Sequence, residues 1–153
     1  MTNTHQNIPL NILLADDDAD DRYFFERALQ DLPITTNLKT VPDGARLMEY
    51  LYKNTDHLPD VLFLDNNMPR KNGSECLAEI KNNAQLKGIP IVMCSTSLGN
   101  DFANSLYQSG AHYYLHKCDF EDLTKCIYTI LKLLAENPLQ PPRSKFMFNL
   151  QEV

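Results

Sequence analysis

Short apolar runs alternate with helically spaced segments along the whole chain, and four of the five runs end at a polar group. The runs are Leu10 to Ala15, Leu38 to Val41, Val61 to Leu64, Ile89 to Cys94 and Ala111 to His116. Between them lie segments whose apolar residues recur at helical spacing. Residues 19 to 32 carry Phe25, Ala28, Leu29 and Leu32 on one face, and Ala45 to Tyr52 carries Leu47, Met48 and Leu51. Ser74 is placed to cap a third helix with Leu77 and Ile80 inward. A fourth runs from Asn100 to Ser109 and stops at Gly110. The last, Phe120 to Glu136, has Leu123, Ile127, Ile130, Leu131 and Leu134 on one stripe. Strands that are apolar almost throughout are buried on both faces, which calls for a parallel sheet covered by helices. The expected class is therefore α/β, with five strands and five helices. Right-handed crossovers leave few topologies for such a sheet.

A chain of 153 residues with 43% apolar residues suits one domain with a substantial core. The expected division is a polar tail over 1–9, a domain over 10–136 and a proline-rich extension over 137–153. That extension begins NPLQPPRS, which cannot continue a helix, and ends in the amphipathic KFMFNLQEV. It reads either as a mobile end or as an arm that docks on this domain or a partner. A net charge of −6 argues against a nucleic-acid binder. No apolar run has the length of a membrane span. The four cysteines, Cys76, Cys94, Cys118 and Cys126, form no CxxC pair and read as reduced thiols of a cytoplasmic protein.

In parallel sheets of this kind, ligands sit beyond the carboxyl ends of the strands. Those ends deliver Asp16 and Asp17, then Asp65 in FLDNNMP, Ser95 in MCSTS and Lys117 in YYLHKC. The first strand runs into ADDDADD, five aspartates within six positions. Asp18, Asp20 and Asp21 have a sufficient structural role at a helix start, where the macrodipole favours negative charge. Asp16 and Asp17 close the strand and are expected to face Asp65. Three carboxylates there need a cation, and all-oxygen ligands suit Mg²⁺. A calcium-binding EF-hand is excluded, because its Gly and Glu positions are Asp21 and Arg27. His112 and His116 share a strand face but are too far apart to share a metal. A carboxylate beside Mg²⁺ can attack phosphorus to give an aspartyl phosphate, and phosphoryl transfer mostly asks for positioning and charge neutralisation.

In ADDD, LDNNMP, CSTS and YYLHK the chain resembles the receiver domain of bacterial two-component response regulators. The segments DGARLMEYL and PRKNGSECLAEIK are also similar to this family. The resemblance covers roughly Leu10 to Glu136. In detail it is nearest to single-domain regulators associated with bacterial phytochromes and hybrid histidine kinases. It implies the flavodoxin-like receiver fold, with strand order 2-1-3-4-5 flanked by five helices. It implies Asp65 as phosphoacceptor, Asp17 as a direct Mg²⁺ ligand and Asp16 as a ligand acting mainly through water. Asn67 would give the metal its backbone carbonyl. Ser95 and Lys117 would hold the phosphoryl group, and Tyr114 would be the aromatic switch behind Ser95. Met68, Pro69 and Gly73 would shape the loop after the acceptor.

One departure stands out: Cys118 follows Lys117 where the family has proline, often after a cis bond. A cis bond before a non-proline residue costs about 2.5–4 kcal/mol, so a trans bond is expected. The implied function is a stand-alone phosphorelay regulator rather than an enzyme. It would be phosphorylated by a sensor or hybrid histidine kinase or by a phosphotransfer protein, and its output would be protein contact. A homodimer through aromatic positions near Tyr107 and Tyr113 competes with an ordinary place for those tyrosines in the fold. Three other classes stand beside this reading. A haloacid-dehalogenase-like phosphohydrolase would need an acid where Asn67 stands. A scaffold that is never phosphorylated stays open through Cys118. A flavodoxin-like cofactor binder would have its phosphate repelled by the five aspartates.

Overall fold

The structure is a computed structural model that describes residues 8–96, 99–117 and 120–148. Strands β1 (Leu10–Ala15), β2 (Thr36–Val41), β3 (Val61–Asp65), β4 (Ile91–Ser95) and β5 (Tyr113–His116) form one parallel sheet of order β2-β1-β3-β4-β5. Helices α1 (Ala19–Gln30), α2 (Gly44–Lys53), α3 (Gly73–Lys81), α4 (Asn100–Gln108) and α5 (Phe120–Glu136) alternate with the strands. A sixth helix, α6 (Arg143–Phe146), adds a single turn beyond the five expected.

Side chains alternate across each strand and so build two cores. Ile12, Leu14, Val61, Phe63, Val92 and Leu115 face α1 and α5, meeting Phe25, Leu29, Ile127 and Ile130. Leu13, Ala15, Leu62, Leu64, Met93 and Tyr114 face the other way, meeting Leu47, Leu51, Leu77, Ile80 and Leu106. Every residue of β3 and β4 is buried, as their unbroken apolar runs require.

Strand and helix limits differ from expectation where a backbone bond outweighs side-chain pattern. β2 starts two residues early, at Thr36, because an edge strand tolerates polar residues while its backbone pairs with β1 (Leu10 with Thr36). β5 starts two residues late. Gly110 takes φ 102°, and the Ala111 N–H bonds back to the Leu106 carbonyl, closing the end of α4 instead of opening a ladder. α3 is capped by Asn72, not Ser74. Asn72 accepts from the Glu75 N–H while the Glu75 carboxylate accepts from the Asn72 N–H, a reciprocal pair three residues apart. Cys76, Cys94 and Cys126 are buried, and burial pushes the Cys76 thiol up to about 11. They are core filler rather than nucleophiles. No helix among the described residues is long and apolar enough to cross a membrane.

The proline-rich extension, of which residues through Phe148 are described, docks on its own domain. Phe146 is fully buried against Tyr107 and Tyr114, and the Phe148 N–H donates to the Tyr114 carbonyl at 2.9 Å. Tyr107 thus lies beneath the arm, and Tyr113 is in the core on the α5 side, so neither tyrosine forms an exposed patch.

Candidate functional site

The parallel sheet brings four strand ends to one rim. Asp16 follows β1, and Asp65 and Ser95 are the last residues of β3 and β4. Lys117 follows β5, its N–H held by the Ser95 carbonyl at 2.9 Å. One oxygen from each of Asp16, Asp17 and Asp65 lies within 4.8 Å of the others. Asp16 and Asp65 are buried while Asp17 is exposed, so the cluster opens to solvent on the Asp17 side.

Lys117 is the cation of this rim. Its ammonium stands 2.9 Å from Asp21, 3.2 Å from Asp16 and 3.4 Å from Asp65. Burial works against its charge, yet the hydrogen bond to Asp21 and the fields of Asp16 and Asp65 raise its pKa overall. One ammonium does not balance four carboxylates. Burial, which outweighs the lowering by the Asn67 N–H, pushes Asp65 up to about 6, and the negative charge of Asp16 adds to the rise. Asp16 is raised as well, by burial first, against the lowering effects of the Asp18 N–H and Lys117. Two buried carboxylates that hold protons too tightly, within reach of a third, make an all-oxygen site short of positive charge. That donor set fits a hard divalent cation, which prefers carboxylate and carbonyl oxygens and keeps several waters. Any such ion would be held by Asp16, Asp17 and Asp65.

The aspartate cluster divides its labour. Asp18 is the N-cap of α1, accepting from the N–H groups of Asp20 and Asp21 and donating its own to Asp16 Oδ1 at 3.0 Å. Asp20 lies in the first turn, as the macrodipole favours. Asp21 does more than the helix start requires, since it supplies the shortest of the Lys117 ion pairs. Nothing local in the sequence signals this pairing, because Lys117 is 96 residues away.

Behind Asp65, Asn66 ties the loop together. Its carbonyl accepts from Met68 and Gly73, and its side-chain oxygen accepts from the Ser74 N–H and hydroxyl. Ser74 therefore serves this loop instead of capping α3. The Asn67 N–H donates to Asp65 Oδ1 at 3.1 Å, fixing the carboxylate plane. Met68 is buried in the core, and Arg70 takes φ 68° in the turn that leads to α3. A Cβ on Gly73 would stand 2.5 Å from the Asp65 carbonyl oxygen and 2.8 Å from Asn66 Cα. Gly73→Ala is therefore expected to cost about 1–3 kcal/mol by forcing backbone apart. Urea titration checks this, and an unchanged midpoint would show that the loop has slack.

Ser95 and Tyr114 are both buried, Ser95 completely. His112 and His116 do not share a metal-sized cluster among the described residues, and each has its own partner, the carbonyls of Pro138 and Thr96 respectively. Cys118 lies outside the described residues, and with it the geometry of the Lys117–Cys118 bond.

Comparison with known proteins agrees with this architecture. The response regulator receiver domain model matches residues 12–128. The response regulator Rcp1 of Synechocystis is 34% identical over 141 residues, covering 88% of this chain and 95% of that protein. The crystal structure of the Mn²⁺-bound form of Rcp1 superposes with a TM-score of 0.74 at 33% identity, covering 87% of this chain and 99% of that one. The phosphorylated cyanobacterial phytochrome response regulator RcpA gives the same TM-score at 30% identity, covering 88% and 99%. Receiver domains are signalling phosphoacceptors rather than enzymes in the ordinary sense. Likeness of this extent, running through nearly the full length of both relatives, means that the chain belongs to the response regulator receiver domain family of two-component systems.

Proposed function

We propose that this protein is a stand-alone, cytoplasmic phosphorelay regulator that accepts a phosphoryl group on Asp65 and signals by protein contact. The working unit is 10–136, preceded by the tail over 1–9 and followed by the extension over 137–153. The observation that carries the reading is the environment of Asp65. Its carboxylate is buried at the end of β3, oriented by the Asn67 N–H, and faced by one ammonium and two further carboxylates.

The donor is a phosphohistidine on a sensor or hybrid histidine kinase, or on a phosphotransfer protein. An Asp65 oxygen attacks phosphorus, the P–N bond breaks, and the imidazole leaves with its electron pair and takes a proton. Asp17, Asp65 and the Asn67 backbone carbonyl, with Asp16 mainly through water, would hold Mg²⁺, which would supply charge neutralisation when bound. Lys117 gives up part of its pairing with Asp21 and Asp16 to meet the phosphoryl oxygens. Ser95 donates its hydroxyl to the same group, and Tyr114 responds to the movement of Ser95. The Mn²⁺ of the Rcp1 crystal and the phosphorylated state of RcpA agree with a site of this kind.

The test is intact mass after incubation with acetyl phosphate, with and without Mg²⁺. Wild type should gain one phosphoryl group only when Mg²⁺ is present, and Asp65→Asn none. No adduct on wild type, or an adduct that survives in Asp65→Asn, would overturn the assignment.

A further inference from the structure

The C-terminal arm lies on the switch residue itself. After Glu136 the chain crosses to the β5 edge of the sheet and is pinned at successive points. His112 Nδ1 accepts from the Ile91 N–H at 3.3 Å, so its Nε2 carries the proton and donates to the Pro138 carbonyl at 3.0 Å. The Gln140 amide donates to the carbonyls of Tyr107 and Ala111, each at 2.8 Å. The Tyr107 hydroxyl donates to the Pro141 carbonyl at 2.7 Å, and Arg143 Nε donates to Asn104 at 2.6 Å. Beyond α6, Met147 pairs with Tyr114 in a parallel bridge, and the Phe148 N–H takes the Tyr114 carbonyl.

Side chains close the same contact. Phe146 is wholly buried, with its ring centroid 5.2 Å from Tyr107 and 6.3 Å from Tyr114. Phe102 of α4 meets Tyr114 from another side at 6.4 Å. The arm thus covers the free edge of β5 and one face of α4, the surface that would otherwise be open for another chain to add a strand.

We propose that the β5 edge and the α4 face form a strand-accepting docking surface, closed in cis by the arm over 138–148 and opened by phosphorylation of Asp65. This rests on Asp65 being the phosphoacceptor. The structure has the unmodified carboxylate, with Lys117 shared among Asp21, Asp16 and Asp65. Met93 of β4 is in register with Tyr114, and Ser95 lies two residues further along that strand. Tyr114 is packed at core density, so it cannot shift without disturbing Phe146. A change at Ser95 that moves Tyr114 therefore weakens the arm. By linkage, a weakened arm favours the phosphorylated state by the same factor. The partner that fits the opened surface is an extended protein segment with aromatic side chains, imitating Phe146-Met147-Phe148.

The experiment is amide hydrogen exchange of the full-length protein, read over 138–148. Samples are unmodified, phosphorylated by acetyl phosphate with Mg²⁺, and Mg²⁺ alone, with stoichiometry checked by intact mass. Exchange of the arm is expected to rise at least tenfold on phosphorylation and not with Mg²⁺ alone. Full-length Phe146→Ala should exchange its arm fast without phosphorylation. It should also reach a severalfold higher phosphorylated fraction at limiting acetyl phosphate, whereas Phe146→Leu should stay near wild type. Phosphorylation with unchanged or slower arm exchange overturns the clasp alone. Failure of the protein to take up phosphate overturns the acceptor assignment and the clasp with it.

Discussion

Asp65→Asn is expected to stabilise the cation-free protein by about 3 kcal/mol at pH 7.5, even as it abolishes phosphoryl uptake. The carboxyl is held at about 6 in the fold, above its ordinary 3.8, by burial first and by Asp16. Below pH 3.8 the group is protonated whether folded or not, and it costs nothing. As pH rises from 3.8 towards 6, the unfolded chain releases the proton before the native one does, so stability falls. Above 6 the full penalty is present. Asparagine has no such proton to release. Its side-chain oxygen still accepts from the Asn67 N–H, and its amide offers a donor in a crowd of carboxylates. The advantage of the variant should shrink to about 1 kcal/mol at pH 4.5.

Urea unfolding in the presence of a chelator, at pH 4.5, 6 and 7.5, measures this directly. The gap should open with rising pH and narrow again at pH 7.5 when Mg²⁺ is added, since a bound cation offsets the same repulsion. A gap that is constant with pH would place the stabilisation in packing rather than charge. A destabilised variant would mean that Lys117 already balances the pocket. Asp65 therefore carries a stability cost, one that the proposed phosphoacceptor role would require the fold to tolerate. A carboxylate buried without enough positive charge is poor for the fold but ready for a cation and a phosphoryl group.

How far this site can be read from sequence depends on which interactions are local. Asp16, Asp65, Ser95 and Lys117 were legible because buried parallel strands appear as apolar runs, and a parallel sheet sends all their ends to one rim. Burial of both sheet faces follows from the same runs, whereas the strand order was implied by the resemblance to receiver domains and not by the runs themselves. Asp21 was hidden by a sufficient local explanation, since a helix start welcomes an aspartate and says nothing of an ammonium 96 residues away. Asn66 was hidden in another way. Four of its hydrogen bonds go to Met68, Gly73 and Ser74, across a loop that has no period to read, and its own N–H donates to the Cys94 carbonyl of β4. Asn72 and Ser74 are both competent caps, and the Asn72-x-x-Glu75 spacing separates them. For the arm, composition left two outcomes, mobile or docked. The choice depends on Tyr107, Tyr114 and a free sheet edge, which only the tertiary fold brings together.

Lys117→Met tests the opposite side of the same balance. It removes the ammonium and leaves Asp16, Asp21 and Asp65 facing one another across the rim. Losing one partner of a fully buried ion pair costs about 3–5 kcal/mol. Here the Lys117 side chain keeps 24% of its surface in solvent and Asp21 keeps 41%, so about 2–3 kcal/mol is expected at pH 7.5 without cation. The lysine itself does not titrate between pH 5 and 9, because its raised pKa keeps it charged there. Any pH dependence of the loss must come from the carboxylates, which protonate more readily once the ammonium is gone. The loss should accordingly be smaller at pH 4.5. It should also be smaller in an Asp65→Asn background, where one of the repelling charges is already absent. A double-mutant cycle at pH 7.5 should give a coupling of about 1 kcal/mol or more between the two positions. Additive effects would mean that Lys117 acts mainly on Asp21, and that Asp65 feels the pocket through Asp16 alone. In either case the variant loses the ammonium that would meet the phosphoryl group in the proposed transfer, and its uptake from acetyl phosphate should fall at least tenfold.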